Sequence, residues 1–395
     1  MTTIPLSAVL LELESGRRPK GGAVQSGVPS LGAEHLDGLG GFAWHSPKYV
    51  PVDFYAGLPT GRIEHEDILV VKDGATTGKV SFVNGSFPFP KAAINEHVFR
   101  LKVDPKKACA RFVFRFLASP QGQQQILSDF RGATVGGISR GFVEKVDVPR
   151  FDVDEQERLA AILDKADGVR RKRREAIKLA DDLLRATFLE MFGDPVTNPK
   201  RWDVGVLDDV VDSDDTLNYG VVQPGDDVPD GVPLIRAAEV VSGLTAASNF
   251  KRITSEIESQ YERSRIRGNE VLIVCVGSIG AVAEVRSQHV GHNIARAVAR
   301  VPVSGDIERE FVADYLRTQR VQNYFINETR TVSQPTLNIK QIKQTPIYLP
   351  DRPARKRYVK TRLRITAALE RCHLAAVDSE ALFNSLMQRA FTGRQ

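Results

Sequence analysis

The stretch FVFRFLASPQ, residues 112–121, returns as FVADYLRTQR at residues 311–320. A single shift of 199 residues superposes the two, and the same shift pairs Asp152 with Asp351 and Phe192 with Phe391. An internal repeat on this scale sets the architecture more firmly than local propensity does, so the chain reads as two copies of one unit.

Upstream of that anchor, ILVVKDGATTGKV (68–80) and VLIVCVGSIGAVAEV (271–285) share one shape, an apolar strand entering a glycine loop. Gly74 stands against Gly277, a slightly larger shift that implies a few inserted residues between the two anchors. Gly74 and Gly78 keep a G-x-x-x-G spacing, whereas Gly277 and Gly280 are one residue closer, which leaves the register open there. A phosphate-cradling loop needs four residues between its glycines and then Lys-Ser or Lys-Thr; here the spacing is short and Val80 replaces the hydroxyl. The loop therefore reads as a tight turn between strands.

Each half has the same order of parts. VVKDG, KVSFV and VFRLKV in the first copy, and VLIVCVG, AVAEV and ARAVARV in the second, are β-branched runs of strand length bounded by turn residues. A long helix follows each β-rich region. The first should open at Asp152 as N-cap with Glu155 in the capping-box position and end at Gly193, with Pro195 blocking continuation. The second should open at Asp351, tolerate Pro353 in its first turn and close at Gly393.

The helical ladder Leu159, Leu163, Ala166, Arg170, Arg173, Ile177, Ala180, Leu184, Thr187, Met191 keeps one heptad frame. So does Tyr358, Arg362, Ile365, Leu369, Cys372, Ala376, Ser379, Phe383, Leu386, Ala390. Seams of this kind predict two helices packed on each other as a coiled coil. The run RRKRR (170–174) puts Arg170 and Arg173 on the seam, where an unpaired charge is costly, so either local opening helped by Gly168 or an acidic partner is expected there. The organisation that results is α+β: a mixed α/β domain at 1–150, a helix at 151–193, a second such domain at 194–349 and a second helix at 350–393.

Bulk composition agrees. The 395 residues exceed one typical core, and 42% hydrophobic with 26% charged residues fits an ordinary globular chain. The N-terminus lacks a basic start followed by an apolar run, so a cytoplasmic location is expected. Cys109, Cys275 and Cys372 are far apart in sequence, without the paired spacing of a structural zinc, and read as reduced thiols. A formal charge of +5 permits a polyanionic partner.

Catalytic constellations are missing. GISRG (137–141) matches G-x-S-x-G with Ser139 as nucleophile, but that elbow needs a strand before and a helix after, and FVEKVDVP reads as another strand. Ser139 also aligns with Asn338, which cannot act as a nucleophile. The histidine of EHV (His97) and the GHN segment (His292, Asn293) occupy roughly corresponding places without a second histidine at metal-binding spacing, so no metal site is expected. NPK at Asn198 lacks the second proline and aromatic of an N-P-P-[FYW] motif, so no methyl donor should bind this chain itself.

The order of a β-rich region, a capped helix ending in FLEMFGDP, a second β-rich region from Trp202 and a helix ending in LMQRAFTG resembles the DNA specificity subunit of type I restriction-modification systems. SGRRPKGG, INEHVFRL, ILDKADGVRRKRREAIKL, LNYGVVQPGD and LNIKQIKQTPIYLP carry the resemblance over nearly the whole chain. It implies a non-catalytic adaptor. Each domain would be a target recognition domain reading half of a split sequence in double-stranded DNA, in a pseudo-twofold repeat spaced by an antiparallel coiled coil. Two methyltransferase subunits carrying S-adenosylmethionine would be recruited, and restriction/translocase subunits would join them, with no membrane involved. The alternatives are a coiled-coil scaffold with protein-binding domains and a serine hydrolase using Ser139.

A helix of about 33 residues spans about 50 Å at ~1.5 Å per residue, roughly fifteen base pairs of duplex. Arginine, lysine, asparagine and glutamine at loop tips suit base edges and phosphates. The candidate DNA-binding residues are Arg17, Arg18, Lys20, Lys72, Lys79, Arg131 and Arg140 in the first domain, and Tyr219, Gln223, Arg236, Arg330, Gln334, Asn338 and Lys340 in the second.

Overall fold

Short apolar runs ending at glycine or proline can pair but not extend, and this sets the strand lengths in both halves. The computed structural model describes residues 2–132, 136–244, 249–329 and 335–392. The chain forms two compact units, Met1–Glu175 with His373–Gln395, and Ala176–Cys372.

Unit 1 opens with β1 (Thr3–Pro5), β2 (Leu10–Ser15), β3 (Val28–Leu31), β4 (Tyr49–Val50) and helix α1 (Val52–Ala56). It continues through β5 (Ile68–Val71), β6 (Val80–Phe82), β7 (Ala93–Ile94) and β8 (Val98–Val103). Helices α2 (Ala110–Ala118), α3 (Pro120–Leu127) and α4 (Phe142–Lys145) follow, and β9 (Asp147–Pro149) leads into α5 (Val153–Phe192).

The second copy runs β10 (Asp203–Val206), β11 (Asn218–Tyr219), β12 (Val232–Ile235), α6 (Ala237–Val241), β13 (Lys251–Ile253) and α7 (Ser255–Ser259). Next come β14 (Glu270–Val274), β15 (Val282–Glu284), β16 (Asn293–Ile294) and β17 (Val298–Pro302). Helices α8 (Arg309–Leu316), α9 (Gln319–Thr329) and α10 (Ile339–Lys343), strand β18 (Pro346–Leu349) and helix α11 (Arg352–Thr392) complete it.

The sheets repeat strand for strand. An antiparallel sheet β2-β8-β5-β6 in unit 1 matches β11-β17-β14-β15 in unit 2. A smaller sheet β4-β3-β7 matches β13-β12-β16, and in each the last pair is parallel. β1 with β9, and β10 with β18, bring the two ends of each β-rich region together.

The central strands are buried on both faces, yet β8 and β17 each carry an arginine there. Arg100 donates to Asp67 at 2.5 Å, to Glu12 at 2.7 Å and to Glu14 at 2.9 Å. Arg300 donates to Asp215 at 2.6 Å, to Glu270 at 3.0 Å and to the Arg263 carbonyl at 2.8 Å. A buried guanidinium is tolerable only with such a ring of acceptors. Burial pushes the Asp67 carboxyl up despite Arg100 beside it.

Helix α2 presents Phe112 and Phe116, four residues apart on one face, to Phe391 at ring separations of 5.4 and 5.3 Å. In unit 2 the equivalent Phe311 of α8 meets Phe192 at 5.0 Å and Phe188 at 5.9 Å. The α+β class and the contact between two long helices are therefore as the sequence predicts. In unit 1 the helices run antiparallel, with Arg170 bonding Glu380 at 3.1 Å and Arg173 bonding the Ala375 carbonyl. In unit 2, Phe188 and Phe192 of α5 pack on Tyr358 of α11. Along the ladders Leu163, Tyr358, Phe383 and Ala390 are buried; Leu159, Ala166, Ile177, Ala180, Leu184, Met191, Ile365, Leu369, Cys372, Ala376 and Leu386 are half-buried.

Several expectations change. The helices have 40 and 41 residues, not about 33, because each continues past the seam to its capped ends. Asp152 accepts from the Glu155 N–H at 2.7 Å, Gly193 takes φ +82°, and Asp351 accepts from the Ala354 N–H at 2.7 Å. Glu155 does not close a capping box: its carboxylate takes the fork of Arg158 at 2.7 Å, a stronger charge-assisted pair. Gly393 lies outside the described residues.

No opening occurs at RRKRR. α5 stays continuous, and Arg170 is held by Asp167 at 2.6 Å, by Glu380, and by the face of Phe383 at 4.1 Å. The acidic partners belong to the chain itself. The segment FVEKVDVP is not one strand: its first half is the short helix α4, whose Phe142 and Val143 are buried, and its second half is β9.

Candidate nucleic-acid interface

At one end of each antiparallel sheet, loops from distant parts of the chain are tied together by backbone bonds. In unit 1 the Lys72 N–H donates to the His97 carbonyl and the Ile138 N–H to the Lys72 carbonyl, both at 2.8 Å, and Gly74 N–H bonds the Gly136 carbonyl at 3.1 Å. In unit 2 the Cys275 N–H donates to Ala297 at 2.7 Å and the Leu337 N–H to Cys275 at 3.0 Å. The two knots use equivalent residues, which resolves the register left open at the shorter glycine loop. Gly78 and Gly280, both at positive φ, close their loops on Val71 and Val274 at 2.9 Å. Gln123 and Gln322 each donate to the carbonyl of that glycine at 2.9 Å.

A fourth loop enters beside each knot through a glycine. A Cβ on Gly16 would run into the Ile94 carbonyl oxygen, and one on Gly220 into that of Ile294. Only glycine permits this approach. From there the loops diverge in chemistry, Arg17-Arg18-Pro19-Lys20 in unit 1 and Val221-Val222-Gln223-Pro224 in unit 2.

The two units repeat one sheet plan, each with a clustered loop end, and known proteins share that fold. No protein-family model matches the chain. The type I restriction enzyme EcoBI specificity subunit of Escherichia coli is 28% identical over 323 residues, 75% of this chain. The chain is homologous to type I restriction-modification specificity subunits. The alignment spans 66% of that relative's length. The S subunit of the type I restriction-modification system of M. genitalium shares the fold at a TM-score of 0.63 and 14% identity, over 99% of this chain and 96% of its own. A chain from a structure describing complex assembly and conformational transition of the type I R-M system gives 0.51 and 17%, over 98% and 97%.

In this specificity-subunit homologue the loop ends gather some of the candidate residues and not others. Arg17 and Lys20 are exposed and make no hydrogen bond or ion pair among the described residues. Arg18 lies 3.6 Å from Glu96, and Lys72 donates to the Glu96 carbonyl at 3.4 Å. Arg131 is exposed beside Asp129 at 3.3 Å and bridges to Gly137, which pairs in turn with Asp73. Lys79 is half-buried and donates to the Leu36 carbonyl at 3.2 Å, and Arg140 donates to that of Leu13, so both act as ties within unit 1.

In unit 2 Tyr219 donates to the Leu337 carbonyl at 2.8 Å, next to the exposed Asn338, which brings those two together. Burial, with Cys275 adding to it, pushes the Tyr219 phenol up to about 12. Gln223 and Lys340 are exposed. Arg236 caps α6 and is engaged by Glu239 at 2.5 Å. Arg330 and Gln334 lie outside the described residues.

His97 and His292 do not correspond. The knot makes Ala297 the counterpart of His97, while the His292 ring sits upstream against Phe250 at 5.1 Å. Ser139 donates its hydroxyl to the Asp129 carboxylate at 2.7 Å, and no histidine bonds it among the described residues. Asp129 is itself buried, which alone would raise its carboxyl, but hydrogen bonds from Lys145 and Ser139 hold it well below the usual carboxylate range. The sequence reading missed Asp129 and the Arg100 and Arg300 networks; an arginine repeated in the middle of two apolar runs, VFRLKV and VARVP, was the available signal. No described helix is long and apolar enough to cross a membrane.

Proposed function

We propose that this chain is the DNA-reading specificity subunit of a type I restriction-modification complex. Each clustered loop end would read one half of a bipartite target in double-stranded DNA, and α5 with α11 would act as the spacer that fixes the gap. The observation that carries this is the duplicated loop knot. The same backbone bonds present different side chains in the two copies, as expected of one scaffold reading two different half-sites. Homology to a specificity subunit supports the reading.

Catalysis belongs to neighbours. Two methyltransferase subunits would bring S-adenosylmethionine and methylate adenine, restriction/translocase subunits would join that complex, and the cytoplasm is the location of such an assembly. The long helices and flanking domains would supply the docking surface for the methyltransferases.

The test is methylation mapping with the chain assembled on methyltransferase subunits. A bipartite motif with a fixed gap is expected. Inserting one heptad in each helix should widen the gap by about three base pairs, from ~1.5 Å per residue against ~3.4 Å per base pair, and leave both half-sites unchanged. Methylation without a split motif would overturn the assignment. Binding insensitive to salt would favour the protein scaffold instead.

A further inference from the structure

The turn entering the long central strand is built alike in both units and carries opposite chemistry. In unit 1 the Asn95 N–H donates to the Leu31 carbonyl at 2.9 Å and the Val98 N–H to the Asn95 carbonyl at 3.2 Å. In unit 2 the Ala295 N–H donates to Ile235 and the Val298 N–H to Ala295, both at 2.9 Å. These bonds make Glu96 and Arg296 structural equivalents, one an acceptor alone and the other a donor alone.

Neither side chain is needed to hold its sheet. Arg296 is exposed, and its guanidinium makes no hydrogen bond or ion pair among the described residues. Its own N–H donates to Val221 at 2.9 Å, which sets the turn against the loop of Val222 and Gln223. Glu96 lines a cavity of about 150 Å³ with Arg17, Arg18 and His97. One of its oxygens is 3.6 Å from both Arg18 and His97, beyond hydrogen-bond reach, and the other is buried without a partner. A carboxylate oxygen denied both water and a donor is an unfilled acceptor. Arg18, 3.6 Å from the first of these oxygens, is an exposed, long side chain that a nearby phosphate would attract.

We propose that this turn is the base-reading position of each unit: Glu96 accepts from the exocyclic amino group of cytosine or adenine in the major groove, and Arg296 donates its fork to the O6 and N7 of guanine. The inference rests on the DNA-reading assignment above and deepens it. It also explains how one backbone reads different bases, since exchanging a single side chain at a fixed turn inverts the hydrogen-bonding demand.

The experiment maps methylation by the assembled complex carrying wild-type chain, Glu96→Gln, Arg296→Ala or Arg296→Lys. Arg296→Lys retains charge but not the two-pronged geometry, and so decides the matter should Arg296→Ala fold poorly; Glu96→Gln keeps the shape of Glu96. Each variant should relax one position of one half-site, different halves for the two residues, with discrimination there falling about tenfold to a hundredfold. Unchanged motifs in Glu96→Gln and Arg296→Lys, with a wild-type bipartite motif intact, overturn this proposal and leave the DNA-reading assignment standing. Uniformly weaker methylation at an unchanged motif also overturns it, marking phosphate contact instead. A wild-type complex without any bipartite motif removes the assignment itself.

Discussion

Arg362 of α11 donates to Asp314 of α8 at 2.5 Å, and at the equivalent junction of unit 1 the charges have changed sides. There Arg115 of α2, the counterpart of Asp314, donates to Asp164 of α5 at 2.7 Å and to Asp167 at 3.1 Å. The geometry of helix on helix is retained in the repeat while the chemistry that locks it is inverted. Both junctions are largely shielded from solvent, so their pairs are held in place by the absence of alternative partners.

Asp314 also accepts from the Tyr358 hydroxyl at 2.5 Å, so replacing it leaves that buried hydroxyl without its acceptor and leaves Arg362 with Glu284 alone. Asp314→Ala should cost about 3–5 kcal/mol, measured as a lowered denaturant midpoint with unchanged slope. The exchange Asp314→Arg with Arg362→Asp should recover part of that loss, because it recreates the order found in unit 1.

The same carboxylate makes stability sensitive to acid. Burial alone would raise it, but the charges of Arg362 and Arg317 outweigh burial and hold it below the ordinary aspartate value of 3.8. The unfolded chain therefore binds a proton before the folded one does. The contribution is complete above 3.8 and is lost as pH falls through the depressed folded value. Denaturant midpoints followed from roughly pH 5 to pH 2 should fall more steeply for wild type than for Asp314→Asn.

Phe391 closes the aromatic contact on α2, as Phe192 does on α8. Each is almost fully buried. Truncation of either to alanine should destabilise the chain by about 3–5 kcal/mol, with calorimetry as the measure.

Gly16 and Gly220 admit no side chain, since the carbonyl oxygen of Ile94 or Ile294 occupies the space. Alanine at either position should cost about 1–3 kcal/mol as the neighbouring loop is pushed off the knot. A thermal melt compared with that of Gly85→Ala, where nothing lies near a Cβ, separates the clash from a general glycine effect.

Arg17, Arg18 and Lys20 form the basic loop of unit 1. If they hold phosphates, their joint replacement by alanine should flatten the dependence of log affinity on log salt by roughly 2–3, about 0.9 for each phosphate no longer neutralised. Equilibrium binding to a duplex at several salt concentrations reads this directly.

Legibility varied by element. Strands such as Ile68–Val71 and Glu270–Val274 were visible because continuous apolar runs between turn residues have few other outcomes. The caps at Asp152 and Asp351 were visible because the signal is local. The short helix Phe142–Lys145 was not, since one helical turn and one strand turn look alike when both bury their apolar residues. His97 was matched to the wrong place because the shift between copies changes along the chain, and only backbone bonding fixes it at Ala297.

The amino-acid sequence by itself determined the duplication, the succession of a β-rich region and a long helix in each half, the capped limits of α5 and the face each long helix hides, because all of these follow from periodicity and neighbouring residues. Tertiary structure decided which distant loops meet at a sheet end, that Arg100 and Arg300 are buried among carboxylates, and that Glu96 and Arg296 share one position. Those outcomes depend on hydrogen bonds and ion pairs between segments far apart in the chain, and such partners become neighbours only once the sheets have closed.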